Sequence, residues 1–224
     1  MSLPQDPQPS AKRDRIKGNP RTGTGDLLHS SLITGYKLPK WNPICGFQNT
    51  LVLFRNYLAL NKWLMRYHRL PFLNKYLKVK GVTREDLEFF DYLINEFCNN
   101  LAASTFFKYD NAYYTIPPDK LEYLERRLDE FTKAVPNASE FIIPVNPFTI
   151  CADFMPTYAR QVETEFAIVV HDIYAQHDRQ TLDYADNPVI QSTGAFLNAL
   201  SDYLWMFIRY YAFQNKDKET YWRH

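Results

Sequence analysis

The sequence predicts an all-α protein: a five-helix up-and-down bundle with an extended N-terminal arm. Three observations support this. Five stretches place apolar residues at three- and four-residue steps, the pattern of a helix with one buried face. Their connections are short, and no segment shows convincing strand alternation. Only 7 glycines occur among 224 residues, which disfavours glycine-rich phosphate loops and folds built from many tight hairpins.

Residues 1–42 read as the arm. Prolines at 4, 7, 9 and 20 and the stretch "RTGTGD" leave no sustained apolar period. Lys12, Arg13, Arg15, Lys17 and Arg21 against Asp14 make the arm locally basic. The bundle is assigned to residues 43–215 and a C-terminal tail to residues 216–224.

The first helix is expected from about Gly46 to His68, with Leu51, Phe54, Leu58, Leu64 and Met65 near one face and Pro71 closing it. The second starts at "TRED", where Thr83 suits the N-cap and Asp86 stands three residues on, and runs to about Ala103. The third opens at "IPPDKLEYLERRLDEF", with proline and acid in the first turn and Leu121, Leu124, Leu128 and Phe131 on its apolar stripe. The "EFIIP" that follows reads as a brief strand or an extended buried segment. The fourth helix is expected over about Thr149–Gln176, with Pro156 either kinking it or marking its first turn. The fifth covers about Pro188–Gln214, with Phe196, Leu200, Leu204, Phe207 and Tyr211 inward.

With 46% apolar residues the chain can bury a real core, and a net charge of +1 gives no global attraction to nucleic acid or membrane. Contact of the basic arm with RNA is the local exception to consider. Cys45, Cys98 and Cys151 lie far apart and are expected as reduced thiols without a disulfide or zinc framework. The most apolar segment, "YLWMFIRYYAF", is too short to span a bilayer and contains Arg209. "MSLPQDPQPS" lacks the apolar run of a secretory signal.

A di-iron bundle site would need Glu-x-x-His on two helices. Glu165 and His171 are six residues apart, about 240° around a helix, and cannot share an inward face; His171 and His177 fail for the same reason. No phosphate loop or nucleophile motif is present. The "LSD" at residues 200–202 places Asp202 within a mostly apolar helix, where a carboxylate needs water or a partner. Arg160 is the expected partner.

At these residues the chain resembles a known family. "FLNALSDYLWMFIRY" is similar to the C-terminal signature L-N-R-L-S-D-x-L-F-x-x-x-R-Y of the ATP:cob(I)alamin adenosyltransferases. "LEYLERRLDEFTKAVPNASEFIIP" resembles that family's helix and F-x-x-P-G-G link. "TGDLLHSSLITGYKLPKWNP" resembles its T-G-D-x-G-x-T segment and the basic positions beyond. The match covers roughly residues 22–212. Family members are trimers of five-helix bundles that transfer the 5′-deoxyadenosyl group of ATP to reduced cobalamin. The resemblance assigns Thr24, Gly25, Asp26, Lys40 and Asn198 as remnants of the ATP site, and Arg160, Ser201, Asp202 and Arg209 as structural positions.

The departures fall on charge. Leu28 replaces the second glycine of T-G-D-x-G, Val52 and Leu53 stand where the family carries an acidic pair, and "PVN" replaces P-G-G. The arginine of L-N-R-L is Ala199. On the fourth helix A-R-T-x-x-R-R-A-E-R reads "ARQVETEFAI": Arg160 is kept, while Thr164, Glu165, Ala167 and Ile168 replace two arginines, the glutamate and the last arginine. A carboxylate where a triphosphate needs a cation reverses the local field.

The expectation is a catalytically inactive relative, with no catalytic residue and no bound cofactor. It would serve as an accessory subunit of a large mitochondrial assembly, either a respiratory-chain complex or the mitoribosome, docked through its arm and as a homo- or heterotrimer or single copy. The mitochondrial location follows from the resemblance. The alternative is a divergent adenosyltransferase using Mg-ATP and cobalamin.

Overall fold

The computed structural model describes residues 29–31, 37–67, 81–103, 115–137, 142–144, 146–176, 188–216 and 220–221. Helix α1 spans Pro43–Tyr67. Helix α2, Arg84–Tyr92, passes through a π-helical turn at Leu93–Phe97 into α3, Cys98–Ala103. Helix α4 is Pro118–Ala134, α5 Pro147–Ala152, α6 Phe154–Gln176 and α7 Pro188–Gln214. The five expected helical segments are all present, and they pack as a bundle. Among the described residues no helix is long and apolar enough to cross a membrane.

The last helix is the centre of the bundle. Phe196, Leu197, Leu200, Tyr203, Leu204, Phe207 and Tyr211 of α7 are fully or almost fully buried. One side packs on α6 and another on α4, while α6 also packs on α1. Aromatic rings fill the α4–α7 layer. Tyr203 meets Phe89 edge-on at 5.4 Å and Phe131 at 5.7 Å, and Phe131 stacks on Tyr210 at 4.6 Å. Such pairs add to the area they bury because ring edges and faces carry opposite partial charge.

The ends of the helices follow local chemistry. Thr83 caps α2 through a capping box: its Oγ1 accepts from the Asp86 amide at 3.1 Å, and Asp86 Oδ2 accepts from the Thr83 amide at 2.7 Å. The expected fourth helix begins two residues earlier than Thr149 and is divided. Asn146 Oδ1 accepts from the Thr149 amide at 2.8 Å, which starts α5 at Pro147. Pro156 has no N–H for the Ala152 carbonyl, so the chain breaks at Asp153 and restarts as α6. Pro156 therefore lies in a first turn, one of the two expected alternatives.

Where residues 1–42 are described, the chain forms two short extended strands. Strand β1, His29–Ser31, pairs antiparallel with β2, Lys37–Pro39, with His29 opposite Pro39. Residues 1–28 lie outside the described residues. "EFIIP" contains a brief strand, β3, at Ile142–Ile143. Its antiparallel partner is β4, Thr220–Tyr221, inside the stretch assigned to a tail.

Candidate functional site: the outer groove of α6

Helix α6 turns Ala159, Val162, Phe166 and Val169 into the core. The 3.6-residue repeat then sends Arg160, Thr164, Ala167, Ile168 and His171 outward. With Glu163 they line an open groove of about 680 Å³. All of these lining residues belong to α6 itself. Glu165 turns to the seam with α1, accepting hydrogen bonds from Thr50 Oγ1 at 2.9 Å and from Gln161 Nε2 at 3.0 Å. Gly46 of α1 lies so close that a Cβ there would stand 3.0 Å from Glu165 Oε2. The charge of Asp202 on α7 acts on Glu163.

The groove is not cationic. Partial burial holds the Glu163 carboxyl above its ordinary range, the charge of Asp202 raises it further, and Arg160 opposes both. Arg160 also opposes the burial that raises Asp153. The guanidinium is therefore already set against two acids of its own neighbourhood. His171 Nδ1 lies 3.7 Å from Asp172 Oδ1. Among the described residues no group of three or more His, Cys, Asp or Glu side chains is arranged to hold a metal ion.

The expected pairing of Arg160 with Asp202 is not formed. Both side chains are exposed, and no ion pair joins them. Asp202 occupies the solvent side of α7, so water meets the need that its sequence context suggested. Ser201 is buried and donates to the Asn198 backbone carbonyl at 2.9 Å, and Asn198 itself is exposed. Arg209 is buried: its Nη2 donates to the Pro136 carbonyl at 2.7 Å and its guanidinium lies 5.0 Å from the Trp205 ring centroid. It ties α7 to the end of α4. Lys40 is exposed in the turn between β2 and α1. Thr24, Gly25 and Asp26 lie outside the described residues, as does His177.

All the residues of the α6 groove but His171 belong to the "ARQVETEFAI" motif, and the chain has a family match that spans them. A model of the cobalamin adenosyltransferase family matches residues 21–211. The chain belongs to the cobalamin adenosyltransferase family. No curated protein sequence matches it significantly. Solved structures share its fold. One is a variant of the PduO-type ATP:corrinoid adenosyltransferase from Lactobacillus reuteri complexed with cobalamin and ATP. It is 18% identical, with a TM-score of 0.63 over 91% of this chain and 98% of that one. Another variant of the same enzyme, complexed with ATP, is 19% identical, with a TM-score of 0.62 over 90% and 99%. Within this family frame, Val52 and Leu53, which stand at the family's acidic pair, are 43% and 45% exposed on the outer side of α1.

A second polar cluster went unrecognised in the sequence. Asp86 is fully buried. Besides capping α2, it accepts from Tyr123 Oη at 2.6 Å and from Arg127 Nε and Nη2 at 3.1 and 3.0 Å. Burial would lower the Arg127 guanidinium, but Asp86 and Glu130 hold it above its ordinary value. Burial, and next the Asp86 charge, push the Tyr123 hydroxyl up. Arg127 stands three residues after Leu124 and four before Phe131, both fully buried, so its phase alone points inward. The cluster bolts α2 to α4.

Proposed function

We propose that the chain keeps the adenosyltransferase bundle without its nucleotide chemistry and acts as an accessory subunit of a larger assembly. One observation carries the reading: the one guanidinium kept from the motif, Arg160, is set against Glu163 and Asp153, while Glu165 is spent on the seam with Thr50 and Gln161. A triphosphate carries several negative charges and is held by convergent cations and backbone amides. The groove residues fit it poorly, because Glu163 would face it and already opposes the Arg160 guanidinium. Lys40, Asn198, Thr24, Gly25 and Asp26 are then remnants without a working partner set.

Titration with Mg-ATP tests this directly. The expectation is no saturable heat below about 1 mM, the weak end of specific binding, and no adenosyl transfer to reduced cobalamin. Micromolar ATP binding together with transfer overturns it and establishes the enzyme alternative.

The assembly is proposed to be mitochondrial, a placement that rests on the family resemblance. Affinity purification from the native source is expected to yield a high-mass complex. Sensitivity of that complex to ribonuclease separates the mitoribosome from a respiratory-chain complex. Recovery of the chain as a lone species counts against the subunit reading.

A further inference from the structure

We infer that the outer face of α1 docks on the surface of an anionic lipid bilayer, with the helix lying along it. The inference goes beyond the subunit reading and does not depend on the loss of nucleotide chemistry.

Charge is segregated along this chain. Between Asp26 and Glu85 it runs for 58 residues with ten lysines and arginines and no acid. Residues 85–224 carry 22 acids against eleven lysines and arginines, so a net charge of +1 conceals two opposite regions. Helix α1 lies wholly within the acid-free region. Cations so placed are drawn to a surface of negative charge.

Helix α1 is also apolar on both sides. Leu51, Phe54, Leu58 and Met65 are buried in the bundle. On the opposite side Val52, Leu53, Ala59, Leu60, Trp63 and Tyr67 are exposed, a stripe about 22 Å long that only Asn56 and Arg66 interrupt. A solvated face would carry charge at those positions, and a helix apolar all round is a covered one. The flanking cations turn aside to α2 and α3. Arg55 Nη1 donates to Asn99 Oδ1 at 3.0 Å, and Lys62 pairs with Asp91, which neutralises that acid. Exposed cations stand at both ends of α1: Lys40 in the turn before it, and Arg66 in its last turn, with the guanidinium 5.8 Å from the Tyr67 ring centroid.

This composition fits a lipid surface. Aliphatic side chains enter the acyl boundary, Trp and Tyr rings suit the headgroup level, and arginine meets the lipid phosphate. A nucleic acid would share only the cations. Val52, Leu53 and Leu60 offer nothing to a sugar-phosphate backbone. The Trp63 and Tyr67 rings lean on each other, with centroids 5.6 Å apart and planes tilted by 42°, and form no parallel platform for bases.

The test floats the full chain with vesicles of phosphatidylcholine alone or with about 30% phosphatidylglycerol added. Partition into the anionic vesicles is expected to be stronger by about tenfold or more, and to fall as salt rises from about 0.1 to 0.5 M. Leu60→Asp combined with Trp63→Asp should abolish it. Arg66→Gln should weaken it about fivefold. All three positions are exposed, and circular dichroism checks that the helices remain.

Several results overturn the inference. These are equal partition into neutral and anionic vesicles, or no binding up to about 1 mM lipid. Binding that survives the Leu60→Asp, Trp63→Asp pair also overturns it, since the basic arm would then be responsible. So does tighter binding to a single-stranded RNA of about 20 nucleotides that the same pair removes. A concentration-dependent rise in mass by light scattering that the pair abolishes would make the occupant a second copy. The Mg-ATP titration is independent of every one of these outcomes, so either reading can fail without the other.

Discussion

Replacing Arg127 with methionine is the most informative single perturbation of this fold. The substitution keeps much of the side-chain stem but removes the charge that satisfies Asp86, which has no exposed surface. Two hydrogen bonds, at 3.1 and 3.0 Å, disappear together with the ion pair. Tyr123 and Thr83 remain as donors, so Asp86 is left hydrogen-bonded but uncompensated. Breaking a buried pair from one side costs about 3–5 kcal/mol, chiefly from the stranded charge. For a chain of this length, about 2–4 °C is lost per kcal/mol, so the melting temperature should fall by about 10 °C. Urea unfolding followed by circular dichroism gives the free energy directly. Asp86→Ala, and the double variant with Arg127→Met, complete a thermodynamic cycle. The double variant should be more stable than the sum of the singles implies, by about 2 kcal/mol. A cost for Arg127→Met below about 1 kcal/mol, the level of an exposed pair, would refute the description of this cluster as a buried bolt. Strict additivity would refute it equally.

Other expectations concern the seams and the thiols. Gly46→Ala should be neutral or destabilising in the wild type, because its Cβ meets Glu165 Oε2 at 3.0 Å. In a Glu165→Ala background it should gain up to about 1 kcal/mol of helix propensity, measurable by urea unfolding. Arg209→Lys should destabilise by about 1–3 kcal/mol, since lysine cannot reproduce both the planar cover of Trp205 and the bond to the Pro136 carbonyl. Burial pushes the Cys98 thiol up to about 12, so a thiol reagent at pH 8 should modify the half-buried Cys151 first and reach Cys98 only on unfolding. Tyr123 and Tyr203 are likewise raised, by burial first. An acid whose folded value is raised stabilises fully below its unfolded value and loses that contribution above it. Stability should therefore fall as pH rises past about 10, with alkaline difference spectra showing these two phenols ionising only as the bundle opens.

The helices were readable because their apolar phase is strong: Leu51, Phe54 and Leu58 on α1, or Phe196, Leu200 and Leu204 on α7, lie where the period puts them. Caps were readable too, since Thr83 and Asp86 are local partners. Long-range pairing was not. Asp202 drew notice as an acid in an apolar context, yet its phase, four residues from Asn198, turns it to solvent. Asp86 drew notice only as a capping residue, although its second partner, Arg127, lies 41 residues away. The strand pairing of Ile142–Ile143 with Thr220–Tyr221 joins segments almost eighty residues apart, and two-residue strands leave no periodicity to detect. In the groove, the motif residues showed that cations had been lost. That Glu165 had turned aside to grip α1 required the third dimension.

The position of α7 has a consequence for biogenesis. Helix α7, which packs on both α4 and α6, is made after both of them, and the strand that pins β3 follows it. Until α7 has been made, α4 lacks its main packing partner and α6 can close only on α1, so both hold oily faces open, the state most prone to aggregate. Newly made chains should therefore depend on chaperone protection throughout synthesis, and a truncation that spares every earlier helix but removes α7 should leave an insoluble product.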